Sequence, residues 1–391
     1  MSQQKRKAIR RRKLATQQRS AAARRIAPAA IAGALSLASA GSAHAATPAI
    51  CNQSYDPYQV STATLQACGD VQLPATITPQ ADGSTRYQYT LPGGVDTLTA
   101  LLPPSSFNAA TASAQDLAKY GIPAEPPLTD TVAHGWWQKM IDNLHFVPPA
   151  KTLIMGGHKH VTYTSPYYNQ IWSGYEALAH SSNTTAQSAA GIFTQPSDGG
   201  SCANAGASLW TGLGEGGGVN TDPQLAQDGT NVVWPGSANN QAWIEVLPYG
   251  PINVPFYATP GQSFKADVSY SNGQNGYQWA NFYMYNYGTG AAYTPMSQSW
   301  HRPDLSTADY VLEAPSESDS NGNITKRYPL TNIGSSAYWS LAYANGTDIA
   351  HTGWPIEPDI MQNLNYTQTD ASTGYLQGSN SAFENYKLNC N

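Results

Sequence analysis

Charge is sparse in this 391-residue chain: Asp, Glu, Lys and Arg together make up 12% of it. Leucine, glutamate and lysine are few, which removes the residues that long surface helices are built from. There are only four cysteines, and no two of them form a Cys-x-x-Cys pair, so zinc-ribbon and thioredoxin-like readings lose their ligands. His-Glu-x-x-His and the Gly-x-Ser-x-Gly elbow do not occur, which takes away the common signatures of zinc peptidases and serine hydrolases. Long apolar runs are missing too. The best candidate, Ile26 to Ala40, is too short to span a bilayer, so no stable membrane anchor is expected.

What is present points to strands. The chain holds 34 Gly, 27 Pro, 24 Tyr and 10 Trp, and 41% of it is apolar. That composition supplies a sizeable core and favours many short strands joined by turns. The first 45 residues differ from the rest: Lys5, Arg6, Lys7, Arg10, Arg11, Arg12, Lys13, Arg19, Arg24 and Arg25 precede the apolar run, and Ala43-His44-Ala45 follows it. Basic, apolar and small residues in that order predict a secretory signal peptide over residues 1–45, and hence a secreted protein. Its removal takes half of the 20 basic residues and none of the 25 acids, leaving a net charge of about −15. A chain so acidic is a poor partner for nucleic acid, and it suits low pH, where protonation relieves self-repulsion. All four cysteines lie beyond the predicted cut, and an even count in an exported chain predicts disulfides. Spacing favours Cys51–Cys68 and Cys202–Cys390 among three possible connectivities.

Residues 46–165 read as a smaller β/α segment. Thr85 to Leu91 alternates as a strand does, Ser113-Ala-Gln-Asp116 resembles a capping box opening a helix through Tyr120, and Thr131 to Leu144 predicts a second helix. Pro148, Pro149 and the stretch from Gly156 to His160 read as a linker, with His158 and His160 lacking a third metal ligand at usable spacing. Residues 166–391 show turn signals every 8 to 15 residues, the rhythm of an antiparallel sandwich. Strands are expected over Ser208–Leu213, Ala242–Leu247, Ser263–Tyr270, Trp279–Asn286, Ala308–Glu313 and Ala337–Ala344. Gly212 to Gly218 fits Gly-x-Gly-x-x-Gly, but Val219-Asn-Thr-Asp-Pro223 starts no helix, so a flexible loop is expected there and no dinucleotide cofactor. In Ala308-Asp-Tyr-Val-Leu-Glu313, strand periodicity aims Asp309, Val311 and Glu313 at one face and Tyr310 and Leu312 at the other. Two carboxylates on one face of a charge-poor chain suit acid/base chemistry.

Four segments in order carry a more specific signal: Leu209-Trp-Thr-Gly-Leu-Gly214, Gln224-Leu-Ala-Gln-Asp-Gly229, Gln241-Ala-Trp-Ile-Glu245 and Ala308 to Pro315, with Ile171-Trp-Ser-Gly174 upstream. Together they resemble the eqolisin family of glutamic peptidases. The resemblance implies an all-β, concanavalin-like sandwich of two antiparallel sheets, and hydrolysis of protein or peptide substrates at acid pH by a monomer without metal or other cofactor. Matched motif by motif, it implies catalytic roles for Gln227 and Glu313. It places Glu245, Trp243, Trp210 and Trp172 around them, with Asp309 as a neighbour. Gly214 and Gln241 stand where the family commonly has Asp. Residues 46–165 then correspond to a removable prosegment or to an accessory region that stays attached. Two other functions fit the same fold class: a glycoside hydrolase using paired carboxylates, and a carbohydrate-binding sandwich without catalysis.

Overall fold

The computed structural model describes residues 48–391 except 53–54, 157–169, 201, 203–204, 215–224, 234–237, 274–277, 302, 304, 319–323, 334–336, 364, 367, 378–380 and 390–391. The short helix α1 (Thr62–Cys68) is capped by Ser61, whose side chain accepts from the Thr64 N–H, and is stopped by Gly69 at φ 86°. The Cys51–Cys68 disulfide closes the loop that leads into it. Cys202 is disulfide-bonded as well, while Cys390 lies outside the described residues. Three strands follow, β1 (Val71–Pro79), β2 (Thr85–Thr90) and β3 (Thr97–Leu102). Helices α2 (Ala114–Lys119) and α3 (Thr131–Asn143) then lead to β4 (His145–Val147) and β5 (Thr152–Met155). Ser113 caps α2 through the Asp116 N–H, as its spacing predicts. Thr152 to Met155, between the two stretches read as a linker, is a strand because it finds partners on both sides, and His158 and His160 lie outside the described residues.

The remaining strands build the body of the sandwich. They are β6 (Trp172–Leu178), β7 (Ser188–Thr194), β8 (Ala207–Gly214), β9 (Ala226–Val233), β10 (Gln241–Val246) and β11 (Ile252–Tyr257). The long antiparallel trio β12 (Ser263–Asn272), β13 (Gln278–Asn286) and β14 (Ala291–Ser299) comes next, then β15 (Thr307–Glu313). A hairpin of β16 (Ser316–Ser318) and β17 (Ile324–Arg327) stands apart in its own small sheet. The chain ends through β18 (Ala337–Ala344), β19 (Thr347–Asp348), β20 (Ile356–Asp359), β21 (Met361–Gln362), β22 (Thr369–Thr373) and β23 (Phe383–Lys387).

Two antiparallel layers result. Sheet A runs β1-β5-β11-β10-β9-β8-β15-β6-β20. Sheet B runs β1-β2-β3-β14-β13-β12-β7-β18-β23-β22-β21, and the short β4 lies parallel to the start of β14. The main core fills the space between them with alternate residues of each layer, among them Leu209, Ile244, Tyr310 and Leu312 from sheet A and Phe193, Phe264, Phe282 and Trp339 from sheet B. Leu73, Tyr89, Leu98, Leu153 and Met155 of the N-terminal segment belong to that same core. Gly212 to Gly214, expected in a flexible loop, are instead strand residues of β8, because they pair with β9 and β15, and the rest of that expected loop, residues 215–218, lies outside the described residues.

Candidate active site

Period-two alternation sorts the residues of sheet A into a core face and an outer face. Antiparallel register then aligns the outer face across strands. Glu313 of β15 stands opposite Trp172 of β6 and Ser208 of β8. Val311 stands opposite Trp210, and the same row continues through Gly229 of β9 to Trp243 of β10. A third row joins Asp309, Gly212, Gln227 and Glu245. All seven residues singled out in the sequence therefore lie on one face of one sheet, over five adjacent strands. Ile171, Trp172, Trp210, Leu225, Trp243, Leu247 and Val311 form an apolar cluster there, separate from the main core.

Glu313 is 8% exposed, and Trp210 donates its indole N–H to Oε2 over 2.7 Å. Burial pushes the Glu313 carboxyl up to about 7, against the opposing pull of the Trp210 and Trp172 indole donors. The two indoles meet edge to face, ring centroids 4.9 Å apart. Trp210 stretches along its strand, with Nε1 at Glu313 and its opposite edge above Gly212, where a Cβ would come within 2.9 Å of the ring. Gly229 matters for a different reason. A Cβ there would sit 2.0 Å from the Leu209 carbonyl oxygen and 2.6 Å from Cβ of Trp210. Gly229→Ala must therefore force β8 and β9 apart, and urea titration should show a loss of more than about 3 kcal/mol.

Gln227 donates from Nε2 to Oε2 of Glu245 over 2.5 Å. Burial, then the charge of Glu313, raises the Glu245 carboxyl to about 8, with the Gln227 donor acting the other way. The order is physical: Glu313 ionises first, and Glu245 must ionise against it. Oγ of Ser208, Oε1 of Gln227 and Nε1 of Trp243 are buried with no hydrogen-bond partner among the described residues. Unsatisfied polar atoms are rare inside proteins and tend to gather where a ligand or water completes the set. Ser208 escapes sequence reasoning because it carries no motif of its own.

Asp309 belongs to a second carboxyl group. It lies opposite Glu176, which in turn faces Glu357 of β20, with Asp359 one alternation away. Burial holds Glu176 well above the usual carboxylate range, and Asp359, Asp309 and Glu357 add to the effect. Burial and then Glu357 raise Asp359 to about 7. Alternation along Trp172-Ser-Gly-Tyr-Glu176 places Glu176 on the Trp172 face, a signal legible in the sequence; Asp359 has none. The two departures from the family pattern are hydrogen-bonded locally, Gln241 through its side chain and Gly214 through its carbonyl. Gln241 donates to the Val254 carbonyl and accepts from the Ala238 N–H, and the Gly214 carbonyl accepts from the hydroxyls of Ser306 and Thr307. Among the described residues no three His, Cys, Asp or Glu side chains converge on a metal position.

Two structures of scytalido-glutamic peptidase, one with a peptide-based transition-state analogue and one with a transition-state analogue inhibitor, each share 16% identity and a TM-score of 0.42. SCP-B, described as a member of the eqolisin family of peptidases in a complex with the tripeptide Ala-Ile-His, shares 15% with a TM-score of 0.40. Each alignment covers 56% of this chain and 98% of the other. No curated protein matches the sequence. The model of the Peptidase A4 family matches residues 170–374, more than half of the chain and the whole of the face just described. The chain belongs to the Peptidase A4 family, the eqolisins, and is a glutamic peptidase.

Proposed function

We propose that the protein is a secreted endopeptidase working near neutrality rather than at the acid pH the family resemblance implies, with Glu313 as the base that activates water and Gln227 as the oxyanion donor. The observation that carries this reading is the pairing of two fixed groups on one face: a buried carboxyl held by an indole, and an amide held by a second carboxyl. In the first step ionised Glu313 takes a proton from water as the oxygen attacks the scissile carbonyl. One Nε2–H of Gln227 is committed to Glu245, leaving the other for the developing oxyanion. A donor of that kind lowers such a barrier by about 3 kcal/mol. Glu313 then returns its proton to the leaving amine as the carbon–nitrogen bond breaks. Glu245 stays protonated throughout, so that no second negative charge opposes the oxyanion.

This assignment sets the pH dependence. Below about 7 the ionised fraction of Glu313 falls tenfold per pH unit, and above about 8 Glu245 acquires the opposing charge. Hydrolysis of a denatured protein by the intact chain should be greatest between about pH 7 and 8 and fall on both sides. Glu245→Gln keeps an acceptor for Gln227 and removes that alkaline fall. Activity that disappears with a chelator, or an alkaline limb unchanged in Glu245→Gln, would contradict the scheme.

Export is supported by the order of basic, apolar and small residues over 1–45 and by the Cys51–Cys68 disulfide, a bond that persists in oxidising compartments. For residues 48–155 we propose retention in the working enzyme. Strands β1 to β5 complete both sheets. Tyr58 also donates to the Asn253 carbonyl next to the row of Trp243, over 2.7 Å.

A further inference from the structure

On the other side of the sandwich the outer face of sheet B is roofed by the N-terminal segment, and a cavity of about 960 Å³ lies between them. It is separated from the Glu313 face by both sheets and the main core, more than about 10 Å of packed protein. Its roof comes from residues 120–127 and α3, including Ile122, Pro123, Trp136 and Trp137, and both tryptophans are half-buried. The floor has a different chemistry. Ser188, Ser269, Asn281, Ser297, Thr99 and Gln88 line the cavity, and each is the register partner of the next across β7, β12, β13, β14, β3 and β2. They form one unbroken row of uncharged hydroxyl and amide groups, spaced by the strand separation of about 4.8 Å. None of the six is fully buried.

Most of the charged groups in the lining have a partner; Arg86, exposed at the β2 end, has no ion pair among the described residues. Lys265 pairs with Asp267 at 2.8 Å, Lys119 with Asp82 at 2.6 Å, and Glu125 with His134 at 3.0 Å. A charged ligand would find at most Arg86, at the exposed β2 end. A wholly apolar one would take from water the polar capacity left on the row after its internal bonds, which run from Asn281 to the Ser269 carbonyl and the Ser271 hydroxyl, from Ser297 to Asn281 and from Thr99 to the Ser297 carbonyl. The ligand that fits is neutral, long enough to cross several strands, and amphipathic, with hydroxyls along one edge and an apolar face for the roof. Sugar rings joined in a line have that character, and a cavity of this volume is within the range of ligand sites. We infer that this cavity is a second binding site, taking a neutral linear oligosaccharide, and that it tethers the peptidase to a polysaccharide-rich surface.

The inference is independent of the roles given to Glu313 and Gln227 but requires residues 48–155, whose presence the mass of the purified protein verifies. Titration calorimetry of the intact chain with cello-, xylo-, manno- and chito-tetraoses and hexaoses is the test. At least one series should bind, with hexaose tighter than tetraose. Asn281→Ala should weaken that binding by about tenfold, and Ser269→Trp, which fills the cavity from its floor, should abolish it. Both variants should hydrolyse denatured protein at the wild-type rate. Absence of binding by every series at about 10 mM, or binding unchanged in both variants, overturns the inference. Capture of an unstructured peptide instead, lost in Ser269→Trp, also overturns it and makes the cavity a peptide exosite.

Discussion

Glu313→Gln should lower kcat/KM on a denatured protein by about 10⁴-fold, since the substitution removes both the base and the proton returned to the amine. The same variant should gain stability at alkaline pH. Glu313 titrates near 7 in the folded chain against an ordinary 4.5, so folded protein holds the proton more tightly than unfolded. For a carboxyl raised in this way, the stabilisation is fully present below about 4.5 and is lost as the pH climbs through 7. Glutamine has nothing to lose. At pH 4 the variant and the wild type should unfold at similar urea concentrations, and at pH 9 the variant should be ahead by roughly 3 kcal/mol. The two readouts separate the possibilities. An acid exposed at a sheet edge would leave both unchanged, a merely structural buried acid would move stability alone, and a folding defect would lower activity and stability together.

Deletion of residues 47–155 should leave no folded enzyme. Six apolar side chains of that segment, Leu73, Tyr89, Leu91, Leu98, Leu153 and Met155, are at most 4% exposed in the shared core. At about 1.5 to 3 kcal/mol each, their burial is comparable to the whole stability of a typical domain. The deletion also strips β11 of β5 and strips β14 of β3 and β4. Further ties go with them. The hydroxyls of Tyr249 and Tyr343 donate to Asp96 and Asp130, and Tyr283 reaches the Met140 sulfur at 3.1 Å. Expression of residues 156–391 alone should give insoluble protein, and the mature secreted form should begin near Ala46. A soluble, active fragment starting near residue 165 would refute retention and restore the prosegment alternative.

The sequence made parts of this molecule legible for definite reasons. Alternation in Ala308 to Glu313 correctly separated the Asp309–Glu313 face from Tyr310 and Leu312, because both faces of β15 are buried and register there has a single solution. Capping chemistry located α2, and the spacing of apolar residues located α3, nearly to the residue. Strand β9 was hidden: Ala226-Gln-Asp-Gly-Thr-Asn contains the residues that strands avoid. What makes it a strand is its place between β8 and β10, with Asp228 turned inward to accept from Thr211 over 3.1 Å and from the Asp267 N–H. Interleaving of the N-terminal segment was hidden too. Pairings such as Thr99 with Ser297 join residues almost 200 positions apart, and local patterns do not encode partners at that distance.

Strand β1 passes from one sheet to the other. Val71 to Pro74 pair with β5 and Ala75 to Pro79 with β2, so the sandwich is sealed along that side. At the opposite border of sheet A, β20 carries Pro358, whose nitrogen has no hydrogen to offer. Peptidases commonly take hold of substrates as extended chains, and an unpaired strand edge is the part of a folded protein that most resembles one. Sheet A thus has a sealed seam at one border and a proline at the other, which limits the edge it offers a neighbouring copy as an extended substrate.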